Sequence, residues 1–144
     1  MKVSEVMTQD VETVAPEASL QEAAETMSRM DVGVLPAVDH GNRVIGVITD
    51  RDIAIRAVAL GKDPANTHVC DAMSPGVKCV HDYDEVDDVA DTMADLQIRR
   101  IPVVDRDERL VGIVSLADIA RDRRPRMAGE ALQGISRPRG QHNA

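Results

Sequence analysis

The sequence predicts a mixed α/β (α+β) fold built from two pseudo-symmetric halves, and three observations carry that reading. First, the chain repeats itself at an offset of 66 residues without a gap. Val3-Ser4-Glu5-Val6-Met7 returns as Val69-Cys70-Asp71-Ala72-Met73, and Leu35-Pro36-Ala37-Val38-Asp39 as Ile101-Pro102-Val103-Val104-Asp105. Gly46-Val47-Ile48-Thr49-Asp50-Arg51-Asp52-Ile53 returns as Gly112-Ile113-Val114-Ser115-Leu116-Ala117-Asp118-Ile119. Two copies are too few for a solenoid and suit a pair that buries its apolar faces together. Second, each copy alternates helix-like hydrophobic spacing with short apolar runs. Third, 144 residues at 43% hydrophobic content fill one domain or two tightly joined half-domains, with an aliphatic core because Tyr83 is the sole aromatic.

The elements follow the same order in both copies. A short Val-x-x-Val/Ala-Met turn opens each one, followed by an extended segment over 11–14 and again over 77–80. A helix comes next, with Leu20, Ala23, Ala24, Met27 and Met30 on one face and Val86, Val89, Ala90, Met93 and Leu96 in the second copy. Ser19-Leu-Gln-Glu22 reads as a capping box at the first helix start. Two strands are predicted at 34–38 and 44–48, joined by the turn Asp39-His-Gly-Asn, with counterparts at 101–104 and 110–114. A second helix begins at Thr49/Asp50 and at Ser115/Leu116. The strands are continuous apolar runs, which implies cover on both sheet faces. Residues 1–62 form the first repeat, 63–66 the linker, 67–124 the second repeat, and 125–144 a tail with a short helix expected over 128–135. Pro125 ends the helix before it.

Charge narrows the function classes. The net charge is −8, yet residues 121–144 hold six Arg against Asp122 and Glu130, so the tail is +4 and the preceding 120 residues are −12. An acidic body argues against a nucleic-acid binder, and the Arg-Pro-Arg-rich end reads as a solvated tail. No apolar run approaches the roughly 20 residues of a membrane span, and nothing resembles a signal peptide. The expectation is a soluble, cytoplasmic protein.

The feature repeated most faithfully is Gly-h-h-Thr/Ser-x-x-Asp opening a helix: Gly46, Thr49, Asp52 and Gly112, Ser115, Asp118. Thr or Ser three residues before Asp is a capping box, and that alone accounts for the pair. The same geometry also suits a ligand. Free N–H groups and a hydroxyl at a helix start can take a phosphate, and a carboxylate one turn in can accept both hydroxyls of a ribose. Both carboxylates are read as helix-start rather than core positions.

These motifs, with the opening Val-x-x-Val-Met-Thr and the Leu-Pro-Ala-Val-Asp and Ile-Pro-Val-Val-Asp strands, resemble the paired CBS domains called a Bateman module. The resemblance covers about residues 1–122. It implies two β-α-β-β-α repeats packed through their sheets, with two clefts for adenosine-containing ligands such as AMP, ADP, ATP, NAD or S-adenosylmethionine. It places Asp52 and Asp118 on the ribose hydroxyls, and Thr49 and Ser115 at the phosphate. Leu35-Pro36 and Ile101-Pro102, with Thr13 and Cys79, would sandwich the adenine and read its edge through backbone groups. Arg99 and Arg100 match positions of basic phosphate contacts in a relative with four such repeats, and two adjacent guanidiniums suit multiple phosphates. The first copy has Gly33-Val34 there, so the two sites are unequal. Arg51 is a further phosphate candidate.

His68, Cys70, Cys79 and His81 offer four zinc-type ligands within 14 residues. Their spacing matches no common zinc pattern, and Cys70 and Cys79 replace Ser4 and Thr13 of the other copy, so both read as small buried residues, with a disulfide disfavoured in a reducing cytoplasm. The methionines at 7, 27, 30, 73 and 93 read as packing. No nucleophile-base set or Gly-rich phosphate loop appears, while His40 sits in a turn and His142 in the tail, so the reading is not an enzyme and needs no catalytic cofactor. The function expected is a regulatory adenine-nucleotide sensor for signal transduction, acting on an effector protein in trans, and the resemblance implies a homodimer. Its rivals are a metal or thiol sensor using His68, Cys70, Cys79 and His81, and a ligand-free adaptor.

Overall fold

The computed structural model describes residues 1–121; the helix expected over 128–135 and the basic tail lie outside the described residues. The elements are α1 (Leu20–Met30), β1 (Val34–Val38), β2 (Val44–Thr49), α2 (Asp50–Arg56), β3 (Ser74–Pro75), β4 (Val80–His81), α3 (Val86–Leu96), β5 (Arg100–Val104), β6 (Leu110–Ser115) and α4 (Leu116–Arg121). One-turn 3₁₀ helices cover Val3–Glu5, Val58–Leu60 and Val69–Asp71. The strands form two three-stranded sheets, β1-β2-β3 and β4-β5-β6. Each apolar run predicted as a strand is one, with β2 and β6 extending to the Thr49 and Ser115 that open the next helices.

The compact units are not colinear with the repeats. One comprises residues 1–10, 79–107 and the chain from 111; the other comprises 11–78 and 108–110. Each opening segment has therefore changed places, and the exchange is reciprocal bond for bond. In the first unit, Val3 N–H donates to Asp84 at 2.9 Å, Ser4 N–H to Asp82 at 3.1 Å and Val86 N–H to Met1 at 3.0 Å. In the second, the residues 66 positions away repeat this: Val69 to Ala18 at 2.8 Å, Cys70 to Pro16 at 2.9 Å, Leu20 to Thr67 at 2.9 Å. Thr8 pairs with Ile113 as Ser74 pairs with Val47. Backbone groups at helix starts and sheet edges need partners, and each opening segment supplies them to the other repeat.

The cores repeat in the same way. Val69, Leu20, Ala23, Met27, Leu35, Ala37, Ile48 and Ile53 form one cluster, and Val3, Val86, Val89, Met93, Ile101, Val103, Val114 and Ile119 belong to the other. Left-handed backbone also recurs in pairs: Asp31 and Gln97 end α1 and α3, Asn42 and Glu108 sit in the hairpin turns, and Asp10 and Gly76 follow the opening segments. Gln and Glu adopt this region less readily than Asn or Asp, so here the frame overrides local preference.

Two local expectations change. The extended segments over 11–14 and 77–80 shrink to a Val14–Ala37 bridge and the two-residue β4, because these stretches carry the chain from one compact unit to the other. At α1, the Ser19 hydroxyl accepts the Glu22 N–H at 3.1 Å, while backbone pairing of Ser19 with His68 secures its other side.

Candidate functional site

Both repeated helix starts are reciprocal capping boxes. Thr49 N–H donates to Asp52 Oδ2 at 3.0 Å, and Asp52 N–H to Thr49 Oγ1 at 3.0 Å. Ser115 N–H donates to Asp118 Oδ2 at 2.9 Å, and Asp118 N–H to Ser115 Oγ at 3.1 Å. Each carboxylate thus commits Oδ2 to its helix start, and the two differ in what meets Oδ1. The motif glycines are structural too. A Cβ on Gly46 would stand 2.8 Å from the Ser74 carbonyl, and one on Gly112 would stand 2.7 Å from that of Thr8. They are the points where the exchanged opening segments cross β2 and β6.

Beyond the shared box the two starts diverge. Asp118 is 7% exposed, which corrects the expectation that it lies outside the core. Its Oδ1 accepts from the Thr8 hydroxyl at 3.3 Å and pairs with Arg121. Thr8, Asp118 and Arg121 line an open depression of about 320 Å³ together with Glu5, Val6 and Met7. Thr8 was not singled out as a ligand residue. Its signal was the Met-Thr closing the opening segment, but nothing in the sequence tied that segment to the other repeat's aspartate. Asp52 is less enclosed, with Arg56 Nε 4.0 Å away and turned by its Nη1 to the carbonyl of Ala72 at 3.1 Å.

Charge separates the two starts further. Gly33 and Arg99 occupy equivalent corners, where their carbonyls accept the N–H of Asp50 at 3.0 Å and of Leu116 at 3.1 Å. The first corner therefore carries no side chain on Gly33 and a second carboxylate, Asp50, directly beside it. The second has exposed Arg99 and Arg100 leading into β5, and Leu116 in place of the acid.

The remaining candidates divide between the same two units. Thr13, Leu35, Pro36, Thr49, Arg51 and Asp52 fall in one. Cys79, Arg99, Arg100, Ile101, Pro102, Ser115 and Asp118 fall in the other. Leu35 and Ile101 are core residues at 1% and 0% exposure, so only their backbone is open to a ligand role. Thr13 lines a second depression of about 240 Å³ with Pro16, Val38 and His40. Arg51 is exposed on the first turn of α2.

The thiols depart from expectation. Neither is in a disulfide, and Cys70 is exposed rather than buried, because its 3₁₀ turn points Val69 into the core and Cys70 outward. Cys79 is half-buried. Among the described residues, the ligand set that the fold gathers is His68, Cys70 and Asp71, whose donor atoms all lie within 4.8 Å of one another. Asp71 was not among the expected ligands; Cys79 and His81 belong to the other compact unit.

Comparison with known proteins places these features in a family. The CBS domain model matches residues 3–58 and 69–124. The CBS domain-containing protein YhcV of Bacillus subtilis is 42% identical over 135 residues, covering 93% of this chain and 94% of its own. A crystal structure of Hypoxic Response Protein I with two coordinated zinc ions has 34% identity and a TM-score of 0.77, covering 84% of this chain and 98% of that one. A CBS domain pair solved with 5′-methylthioadenosine and S-adenosyl-L-methionine has 32% identity and a TM-score of 0.74, covering 88% and 98%. CBSX2, from Arabidopsis thaliana, solved with AMP, has 28% identity and a TM-score of 0.75, covering 85% and 95%.

Proposed function

The chain belongs to the CBS domain family, and from that premise we propose that it is a regulatory module that binds an adenosine-containing effector and signals to a partner in trans. The observation that carries this reading is the contrast between the helix starts. The corner at Ser115 and Asp118 has Arg99 and Arg100 beside it, whereas the corner at Thr49 and Asp52 has Asp50. A phosphate next to Asp50 is repelled; one next to two guanidiniums is held. The second corner is thus the nucleotide site proper, with Asp118 on the ribose, Ser115 and the arginines on the phosphates, and Cys79 and the backbone at Ile101-Pro102 on the base. The first, with Thr49, Asp52, Thr13 and Leu35-Pro36, suits an adenosine ligand of less negative charge, and Arg51 is its available cation. The AMP and S-adenosylmethionine complexes of relatives support both ligand types.

Signalling then follows from linkage: a ligand that prefers one arrangement of the chain raises its population, and no catalytic step is required. Self-association would use the apolar surface of Ile55, Val58 and Leu60, the last two 60% and 66% exposed.

Calorimetry with adenosine, AMP, ADP, ATP, NAD and S-adenosylmethionine tests the reading. Replacing Arg99 and Arg100 with Ala is expected to weaken ATP and ADP by at least about tenfold and adenosine hardly at all. An equal loss for adenosine removes the phosphate role. If millimolar concentrations of every ligand also leave the melting temperature unchanged, the sensor reading fails.

A further inference from the structure

We propose that His68, Cys70 and Asp71 form a binding site for a zinc-class divalent cation, separate from the helix starts described above. The three donor atoms already lie within 4.8 Å of one another on a single one-turn 3₁₀ helix and its cap. Closing them on one ion asks for side-chain rotation and for the ion to replace the His68 side chain's contact with the Asp71 N–H, while the second Asp71 oxygen can keep the His68 N–H. All three residues are exposed, so a cation can reach them from solvent. The donor set is one imidazole nitrogen, one thiolate and one carboxylate oxygen. Sulfur and imidazole select zinc, cobalt or nickel over magnesium and calcium, which take oxygen ligands. On binding, Cys70 loses its proton to solvent, and the thiolate and carboxylate together match the charge of the dication. Three protein ligands leave a fourth tetrahedral position for water or an incoming group.

The backbone beneath this trio is held firmly. Val69 is wholly buried, its N–H donates to Ala18 at 2.8 Å, and the Cys70 N–H donates to Pro16 at 2.9 Å. The Asp71 carboxylate accepts the His68 N–H at 3.3 Å, which keeps it over the start of the turn. The fold asks only for the acid of the three, since Glu5 accepts the Lys2 N–H at 2.7 Å as Asp71 accepts that of His68; it does not demand the imidazole or the thiol. In the other repeat the same turn, with the same backbone bonds, carries Lys2, Ser4 and Glu5. There Lys2 makes an ion pair with Glu85 at 2.7 Å, and no ligand set exists. The imidazole and the thiol beside that shared acid are additions to one half of a duplicated frame.

The test uses the full chain, stripped of metal and reduced, titrated with Zn²⁺ and with Co²⁺. Co²⁺ bound through Cys70 gives a sulfur-to-metal charge-transfer absorption that saturates at one equivalent. Cys70→Ser is expected to abolish that band, and His68→Gln and Asp71→Asn each to weaken Zn²⁺ by at least about tenfold, measured by competition with a chromophoric chelator. Cys79→Ser, outside the trio, is expected to keep the band and the affinity. Because the altered side chains are exposed, melting temperatures should stay close to that of the parent. Absence of the band, its survival in Cys70→Ser, its loss in Cys79→Ser, or undiminished Zn²⁺ affinity in both His68→Gln and Asp71→Asn overturns the site. None of these measurements involves a nucleotide, so the site and the sensor reading stand or fall separately.

Discussion

Replacing Gly112 with Ala tests the exchange of opening segments directly. A Cβ there would sit 2.7 Å from the Thr8 carbonyl oxygen and 2.7 Å from Met7 Sδ, whereas ordinary contact begins near 3.4 Å. The methionine can swing away, but the carbonyl belongs to a backbone fixed at both ends of its pairing: Thr8 N–H donates to Ile113 at 2.8 Å and Ile113 N–H to Thr8 at 3.0 Å. Relief requires a shift of about 0.7 Å, enough to stretch both bonds beyond useful length. Two weakened backbone bonds at roughly 1 kcal/mol each, plus overpacking of about 1–2 kcal/mol, give a destabilisation of about 3–4 kcal/mol. For a chain of this size that lowers the melting temperature by roughly 9–15 °C. Thermal unfolding followed by circular dichroism reads the effect. Gly33→Ala is the control, since its Cβ would meet only the Asp50 carboxylate at 3.0 Å, the free end of an exposed side chain. If Gly112→Ala melts within about 2 °C of the parent, Thr8 does not lie across β6 and the exchange is wrong.

Three further outcomes follow from the same geometry. Lys2 holds the Glu85 carboxyl down to about 2 from an ordinary 4.5 by hydrogen bond and charge. A depressed carboxyl contributes stability above its ordinary value and loses it as pH falls toward 2, so the protection factors of the Val3 and Ser4 amides, taken relative to the intrinsic exchange rate at each pH, should fall over that window, and Glu85→Gln should show lower protection at neutral pH already. Arg121→Ala frees an Asp118 oxygen from a pair whose cation is 73% exposed, so adenosine should bind about two- to fivefold more tightly by calorimetry; weaker binding would mean that Arg121 itself touches the ligand. Asp118→Ala should cost about 1–3 kcal/mol in urea unfolding and more than Asp52→Ala, because the buried Asp118 carboxylate accepts the Thr8 hydroxyl in addition to the helix-start N–H that both aspartates accept; equal losses would deny the buried role.

Much of this was legible because the duplication reports every element twice. The helix periods, the strand runs and both capping boxes were readable from residue type and spacing alone, since each is governed by contacts within a few positions. What the sequence did not carry was which partner each opening segment takes. Val3 and Val69 have identical local patterns and would satisfy either repeat, so no local signal separates exchange from self-pairing. The burial of Asp118 and the presence of Thr8 against it were hidden for that reason. Cys70 was misread as buried for a related one: a one-turn 3₁₀ helix has room for a single inward residue, and Val69 takes it.

The exchange also explains why one motif reads equally well as structure and as site. The glycine lets the opposing segment cross, and the Thr or Ser and the Asp close the helix start immediately after the crossing. Fold stability thus accounts for one carboxylate oxygen, one hydroxyl contact and the absent Cβ in each half, identically. A ligand must therefore be recognised by what remains after those demands are met, and that remainder is where the halves differ: Asp50 against Leu116, Gly33 against Arg99, Arg56 against Arg121 as the nearest cation. Substituting the shared residues perturbs folding and binding together, whereas exchanging the unshared ones alters charge on a frame that stays the same. Moving Asp50 to Leu and Gly33 to Arg in one chain should accordingly bring the first corner toward the phosphate preference of the second without loss of either capping box.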